Sequence, residues 1–371
     1  MKIRAAVVND VHQDYVIEEL RIDEPRSNEV LVKIVASGIC HSDEAFRLGE
    51  APYIFPAVFG HEGAGIVEKV GSNVTTVKEG DHVVVSYAYC GTCKSCREGR
   101  PSTCDDWNIL NVTGRRRDGE AILFKEDGTP VSSILGQSSF AEKTVVDEHN
   151  VTKIDNSIDL RLAGPLGCGF LTGVGAVMNG FKPEPGTSIA VFGTGTVGLA
   201  TLMAGKVAGC TTIIAVDIHD HRLETAKKLG ATHTINAKNV NAVEAIREIT
   251  GGGADYVADT TGVTQVIKDA FDATGQGGTF APLAVTTNTI EFMPFGELVV
   301  PTKTIKGVLM GNAVPQITIQ QMINFFKAGN FPFDQIIEFY DFEDINQAAN
   351  DSNSGKTIKP VIIMDKEYRP E

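Results

Sequence analysis

The stretch GTGTVG, Gly193 to Gly198, restricts the possible folds more than any other part of this chain. An apolar run, SIAVFG (188–193), leads into it, and a segment of helix-like density, TVGLATLMAGKVAG (196–209), follows. Gly193, Gly195 and Gly198 permit a tight turn, and they let backbone N–H groups approach a pyrophosphate at a helix N-terminus. The next apolar run, TIIAVD, ends on Asp217, 24 residues after Gly193, which is the place for a carboxylate that accepts ribose hydroxyls. Its charge opposes a 2′-phosphate, so NAD is expected over NADP; His219, His221 and Arg222 nearby soften that exclusion. A plain glycine turn with Asp217 capping the next helix is the blander alternative. The spacing and the strand-before, helix-after context favour the dinucleotide.

The pattern continues in kind. HRLETAKKLG (221–230), THTIN (232–236), NAVEAIREITGGG (241–253), ADYVAD (254–259), a helical stretch at 264–274, GGTFAPLAV (277–285) and TIKGVLMG (304–311) follow in turn. Strands alternating with helices of about ten residues predict a doubly wound parallel sheet. Gly230 and Gly251 fall where helices end. The first 160 or so residues differ. EVLVKIVASG (29–38), GAGIVEKVG (63–71) and GDHVVVSYAY (80–89) are strand-like and punctuated by Gly, Pro and Asp, which predicts an irregular β domain. An amphipathic helix (316–328) and a strand, KPVIIM (359–364), come last.

With 371 residues, two domains are expected. The formal charge of −14 argues against nucleic acid as a partner, and Arg115–Arg116–Arg117 reads as a solvated loop. No apolar run reaches the eighteen residues of a membrane span, and Ala5–Val8 is too short for a signal-peptide core. Cytoplasmic localisation is expected, with the cysteines reduced.

Four of the seven cysteines, Cys90, Cys93, Cys96 and Cys104, lie within CGTCKSCREGRPSTC. Their spacing lets four thiolates converge into a closed tetrahedral cage for Zn²⁺, which holds a loop and leaves no position for substrate. An iron–sulfur cluster and disulfides are the rivals. Cys40 in GICHSDE, His61 in GHEGAG and Cys168 in PLGCGFLTG offer two thiolates and an imidazole, a three-ligand set that keeps one position open. Cys210 has no such companions and reads as packing.

These motifs, in this order, resemble the zinc-dependent medium-chain alcohol dehydrogenases, and the likeness runs along the whole chain. NILNVTG (108–114) and GQSSFAE (136–142) are similar to the aryl-alcohol (benzyl alcohol) dehydrogenases in particular. The resemblance implies an α/β protein. Residues 1–170, completed by 311–371, form a GroES-like β domain, and residues 171–310 form a Rossmann domain. It further implies a catalytic zinc on Cys40, His61 and Cys168 and a structural zinc on the clustered cysteines. On this likeness Glu62 lies close to the metal, Asp43 orients the His61 ring, and Ser42 takes the substrate proton. Thr172, Val197, Val308 and Met310 surround the nicotinamide, and His41 and Lys359 are cations near the pyrophosphate, solvated polar surface being the alternative for both. Ala45 stands where many relatives carry a proton-releasing histidine. A homo-oligomer, dimer or tetramer, is implied, with TIKGVLMG pairing between subunits.

The expected chemistry is hydride transfer between NAD and a primary aromatic alcohol. An alcohol gives up hydride readily only once its oxygen is charged, which is what a Lewis-acidic zinc provides. Tyr87, Trp107, Ile134 and Leu135 are candidates for an apolar pocket. Other small-molecule substrates within the family are aliphatic alcohols and S-hydroxymethylglutathione. Outside it stand a lyase keeping NAD as a fixture and a non-enzymatic zinc- and dinucleotide-binding protein.

Overall fold

The computed structural model describes residues 1–370. The chain forms two compact units: residues 1–169, 314–321 and 334 onward make one, and 170–313 with 322–333 make the other. The expected return of all of 311–371 to the first unit needs correction. Residues 322–333 pack in the second, where Phe331 and Phe333 set their rings 5.9 and 5.2 Å from that of Phe170.

The first unit holds two sheets. In one, β1 (Lys2–Val8) and β2 (Val16–Ile22) pair antiparallel, flanked by short strands at 57–58, 123–124 and 130–131. In the other, β3 (Glu29–Gly38) is central. It lies between β4 (Gly63–Val70) and the C-terminal strand β15 (Lys359–Ile363), while β5 (His82–Val85), β6 (Lys143–Asp147), β7 (Val151–Lys153) and β14 (Ile337–Asp341) complete the sheet. β3 is buried along most of its length and packs Val30, Val32 and Ile34 against Val67, Val83 and Val85. β15 runs antiparallel to β3 with Val361 opposite Gly38, so Lys359 arrives beside the segment that leads into Cys40. Between β3 and β4 lies a short helix, α1 (His41–Arg47).

The second unit is one six-stranded sheet, every pairing parallel, in the order β10–β9–β8–β11–β12–β13. Its strands are β8 (Ser188–Phe192), β9 (Thr212–Asp217), β10 (His233–Asn236), β11 (Ala254–Asp259), β12 (Thr274–Pro282) and β13 (Thr304–Ile305). Helices α2 (Thr196–Val207), α3 (Asp220–Lys228), α4 (Ala242–Thr250) and α5 (Thr264–Ala273) join the first five. By rank in the chain the strands run 3-2-1-4-5-6, the Rossmann order, with the reversal between β8 and β11. β8 is buried at every residue, as a central parallel strand must be.

Two expected strands are shorter in the structure. TIKGVLMG is extended only at Thr304–Ile305. Met310, Gly311 and Asn312 follow with φ of 49°, 66° and 48°, a left-handed run that no strand accommodates. GDHVVVSYAY is strand only over His82–Val85; beyond it, Ser86 bonds to the Asn150 carbonyl. Two helices, α6 (Pro315–Lys327) and α7 (Ile345–Asn353), lie in the C-terminal region. No single helix among the described residues is long and apolar enough to cross a membrane.

Candidate active site and metal centres

Cys40, His61 and Cys168, spread over three segments of the first unit, bring their donor atoms within 4.8 Å of one another. Cys40 caps α1, His61 lies two residues before β4, and Cys168 follows a short 3₁₀ turn over Gly164–Gly167. His61 and Cys168 are buried.

Asp43, fully buried, ties two of these segments together. Its Oδ1 accepts from Gly60 N–H and lies 2.9 Å from His61 Nδ1, while its Oδ2 accepts from Cys40 N–H at 3.1 Å. With Nδ1 engaged, His61 presents Nε2 to the two sulfurs, and that atom is buried with no hydrogen-bond partner. Burial pulls the His61 ring down, yet Asp43 and the Cys40 thiolate more than reverse this and hold it well above the imidazole range. Its hydrogen-bond partner Cys168 holds the Cys40 thiol well below its ordinary value. Two converging sulfurs and a buried imidazole nitrogen without a hydrogen-bond partner fit a divalent cation, and that donor chemistry fits zinc.

Glu62, fully buried, accepts from Gly169 N–H at 3.0 Å and from the Lys359 ammonium at 2.8 Å. Lys359 is 2% exposed, so the reading of it as solvated surface is overturned: its partners are the Glu62 carboxylate and the Ile39 carbonyl. His41, by contrast, has an exposed ring.

Ser42 and Phe46 are four apart on α1, share one face, and are both half-buried. Phe46 opens an aromatic cluster that sequence reading missed. Its ring centre is 4.9 Å from Tyr53 and 6.5 Å from Phe59, with Phe55 6.2 Å from Phe59. The i, i+4 spacing from Ser42 was the available signal. The other side of α1 is anchored by Glu44, which accepts from Tyr15, Arg47 and Asn353. Burial pushes the Glu44 carboxyl up, but the Arg47 guanidinium and these hydrogen bonds bring it below the usual range.

The pocket candidates Tyr87 and Ile134 are 0% and 1% exposed. Tyr87 packs on Trp107 at 5.0 Å, and Ile134 belongs to the core of the first unit. They fill the interior, where large apolar side chains more often reside than in pockets. Leu135, half-buried at φ 48°, packs against that same core.

Cys90, Cys93, Cys96 and Cys104 also place their sulfurs within 4.8 Å of one another. Backbone N–H groups of Cys93 and Cys90 point at the sulfurs of Cys90 and Cys104, each at 3.3 Å, a geometry that steadies thiolates. Cys210 stands apart and buried, its sulfur 3.8 Å from the Thr187 hydroxyl.

In the second unit the glycine loop follows β8. Gly193 has φ 87°, and a Cβ on Gly198 would strike the Gly193 carbonyl, so both positions require glycine. Gly195 caps α2 without a side-chain bond, and a Cβ there would meet open space. Asp217 Oδ2 accepts from Thr194 N–H and hydroxyl, and Oδ1 accepts from Ile218 and His219 N–H. Burial pushes its carboxyl up, but the Thr194 bonds outweigh this and keep it below the usual value. Arg222 Nε is buried without a partner. Thr172 Oγ1 lies 4.0 Å from Met310 Sδ, and Val197 lies one helix turn from Thr201, which bonds to its carbonyl. Val308 is half-buried and faces Gly180.

Comparison with known proteins agrees with this architecture. Residues 26–156 match the alcohol dehydrogenase GroES-like domain and residues 196–328 the zinc-binding dehydrogenase domain. Geraniol dehydrogenase of Castellaniella defragrans is 40% identical over 369 residues, 97% of each chain. The crystal structure of benzyl alcohol dehydrogenase from Acinetobacter calcoaceticus is 42% identical, with a TM-score of 0.94 over 98% of this chain and 100% of that one. An alcohol dehydrogenase zinc-binding domain protein from Burkholderia ambifaria is 44% identical, with a TM-score of 0.95 over 98% and 99% of the chains. The chain belongs to the zinc-binding alcohol dehydrogenases of the medium-chain family. It is a zinc-dependent alcohol dehydrogenase with a GroES-like domain and a Rossmann-like parallel sheet.

Proposed function

We propose that this enzyme transfers hydride between NAD and a primary alcohol whose hydroxymethyl group is borne by an unsaturated carbon, an aryl ring first. The observation that carries the reading is the convergence of Cys40, His61 and Cys168 beside Ser42, with Phe46 on Ser42's face of α1. Benzyl alcohol and geraniol, named for two of the similar proteins, share that unsaturated carbon.

Cys40, Cys168 and neutral His61 would hold the catalytic zinc, and the four clustered cysteines a structural one. The catalytic ion would supply Lewis acidity, which lowers the pKa of an alcohol oxygen toward neutrality. Two thiolates balance the ion's charge, so the set is neutral before substrate ionises. Ser42, its hydroxyl 3.8 Å from Cys40 Sγ, is the group to take the substrate proton. Ala45 is buried and not ionisable, so it offers no group to carry that proton onward. NAD supplies the hydride acceptor. Gly193, Gly195 and Gly198 make room for a pyrophosphate at the α2 N-terminus. Asp217 and Arg222 would meet the adenosine ribose. The carboxylate's four acceptor positions are already used by the chain, and the Thr194 hydroxyl is the one donor free to rotate away. Thr172, Val197, Val308 and Met310 would border the nicotinamide.

With NAD⁺, kcat/KM for benzyl alcohol is expected to exceed that for ethanol by about 10- to 100-fold, the worth of burying one aromatic side group. A preference for ethanol, or for S-hydroxymethylglutathione, would sink the aryl assignment. Asp43→Asn is expected to cost roughly 10- to 100-fold in zinc retention at the three-ligand set, because the ring orientation of His61 depends on that carboxylate. Chelator competition measures this, and retention equal to wild type would contradict it.

A further inference from the structure

We propose that Lys359 and Glu62 form a buried clamp that sets the spacing of the three segments carrying Cys40, His61 and Cys168. Lys359 is then a positioning residue of the metal site. The inference rests on the metal-site reading above.

The Lys359 ammonium donates to the Ile39 carbonyl and to Glu62 Oε2, both at 2.8 Å. The other oxygen of Glu62 accepts from Gly169 N–H at 3.0 Å. Ile39 precedes Cys40, Glu62 follows His61, and Gly169 follows Cys168. One ammonium–carboxylate unit therefore grips the chain neighbour of each of the three donors. Backbone bonds draw the same segments together: Ile39 N–H to the Pro360 carbonyl at 3.0 Å and Gly38 N–H to the Glu62 carbonyl at 3.1 Å. The fit has no slack, since a Cβ on Gly38 would strike Glu62 Oε2.

The charges suit this role. Lys359 is the one lysine among the buried described residues. Its ammonium is matched by the Glu62 carboxylate and by the Ile39 carbonyl, both at 2.8 Å. Both oxygens of Glu62 accept from N–H groups, which is the geometry of a carboxylate. A buried charge left alone is strongly unfavourable, so neither partner tolerates loss of the other. Asp43 and the clamp divide the work. Asp43 turns the His61 ring, and the clamp sets how far apart the three backbones stand. Lys359, which the resemblance places near a pyrophosphate, has its own partners among the segments that carry the metal donors.

The test follows zinc release from the full-length, zinc-loaded protein into excess 4-(2-pyridylazo)resorcinol. The Lys359→Met, Glu62→Gln and doubly substituted variants are compared with wild type, and thermal unfolding is recorded alongside. Lys359→Met is expected to speed release from the three-ligand set by about tenfold or more, with release from the four-cysteine set unchanged as the internal control. The double variant is expected to be no faster than the faster single one, because both changes open the same clamp. Lowered thermal stability with both release phases at wild-type rate overturns the clamp, as do fully additive effects. Should Lys359→Met fail to fold, the near-isosteric Glu62→Gln decides alone: faster release supports the clamp and unchanged release overturns it. Wild-type protein with no release phase from the three-ligand set would overturn the metal-site reading itself, whereas unchanged variants of a two-phase wild type overturn only the clamp.

Discussion

Cys168→Ser is expected to yield a folded protein that retains zinc on its four-cysteine cluster and oxidises alcohol at least about 10³-fold more slowly than wild type. The argument starts from charge. Two thiolates and a neutral imidazole cancel the +2 of a zinc ion; a serine hydroxyl is neutral at pH 7 and a poor ligand by comparison. The donor set then loses one anion and one soft atom together. Lewis-acid activation is worth several kcal/mol, and each 1.36 kcal/mol is tenfold in rate, so a thousandfold loss asks for only about 4 kcal/mol. Cys168 is also the sulfur that faces Cys40 in a buried site, so water cannot easily take its place. Steady-state kcat/KM with NAD⁺ and zinc per chain by elemental analysis are the measurements. Turnover within tenfold of wild type would remove Cys168 from the reacting centre.

Cys104→Ser is expected to do the reverse, lowering the unfolding midpoint by about 10 °C or more while kcat stays within tenfold. Structural zinc contributes some 10–16 kcal/mol of apparent binding free energy in small zinc domains. For a unit of 150–250 residues each kcal/mol moves Tm by about 2–4 °C, so even a partial loss is easily read. Cys104 is 5% exposed, and its sulfur accepts from Cys90 N–H. Its carbonyl receives the N–H of Trp107, whose ring lies on Tyr87. Losing the ion would loosen that packed lobe without touching Ser42. Differential scanning calorimetry with and without added zinc checks it, and equal zinc loss from both sets in Cys168→Ser and Cys104→Ser would erase the division of roles.

The parallel sheet was legible because its strands are short continuous apolar runs bounded by Gly and Asp. SIAVF and ADYVAD are strands where the sequence placed them. The metal sets were legible for a different reason: zinc donors come from few residue types, so Cys40, His61 and Cys168 stand out even when distant. Partners were harder. Tyr87 and Ile134 advertise burial, but apolar character does not say whether a residue faces core or substrate. Lys359 reads locally as a charge before a strand. Its carboxylate partner lies 297 residues away, and only the pairing of β15 with β3 brings them together. The end of TIKGVLMG failed for a backbone reason, because its residue types suit a strand while its φ angles do not.

The seating of β15 against β3 has a consequence in time. The Lys359 ammonium meets the Ile39 carbonyl across 320 residues of chain. A ribosome making this protein therefore exposes Cys40 and His61 long before the strand that braces them exists. Through that interval the thiol is available to oxidants and stray metals, and the finished geometry arrives only when the last strand docks. Zinc delivered to the nascent chain would find the four-cysteine lobe, gathered within fifteen residues, ready far sooner.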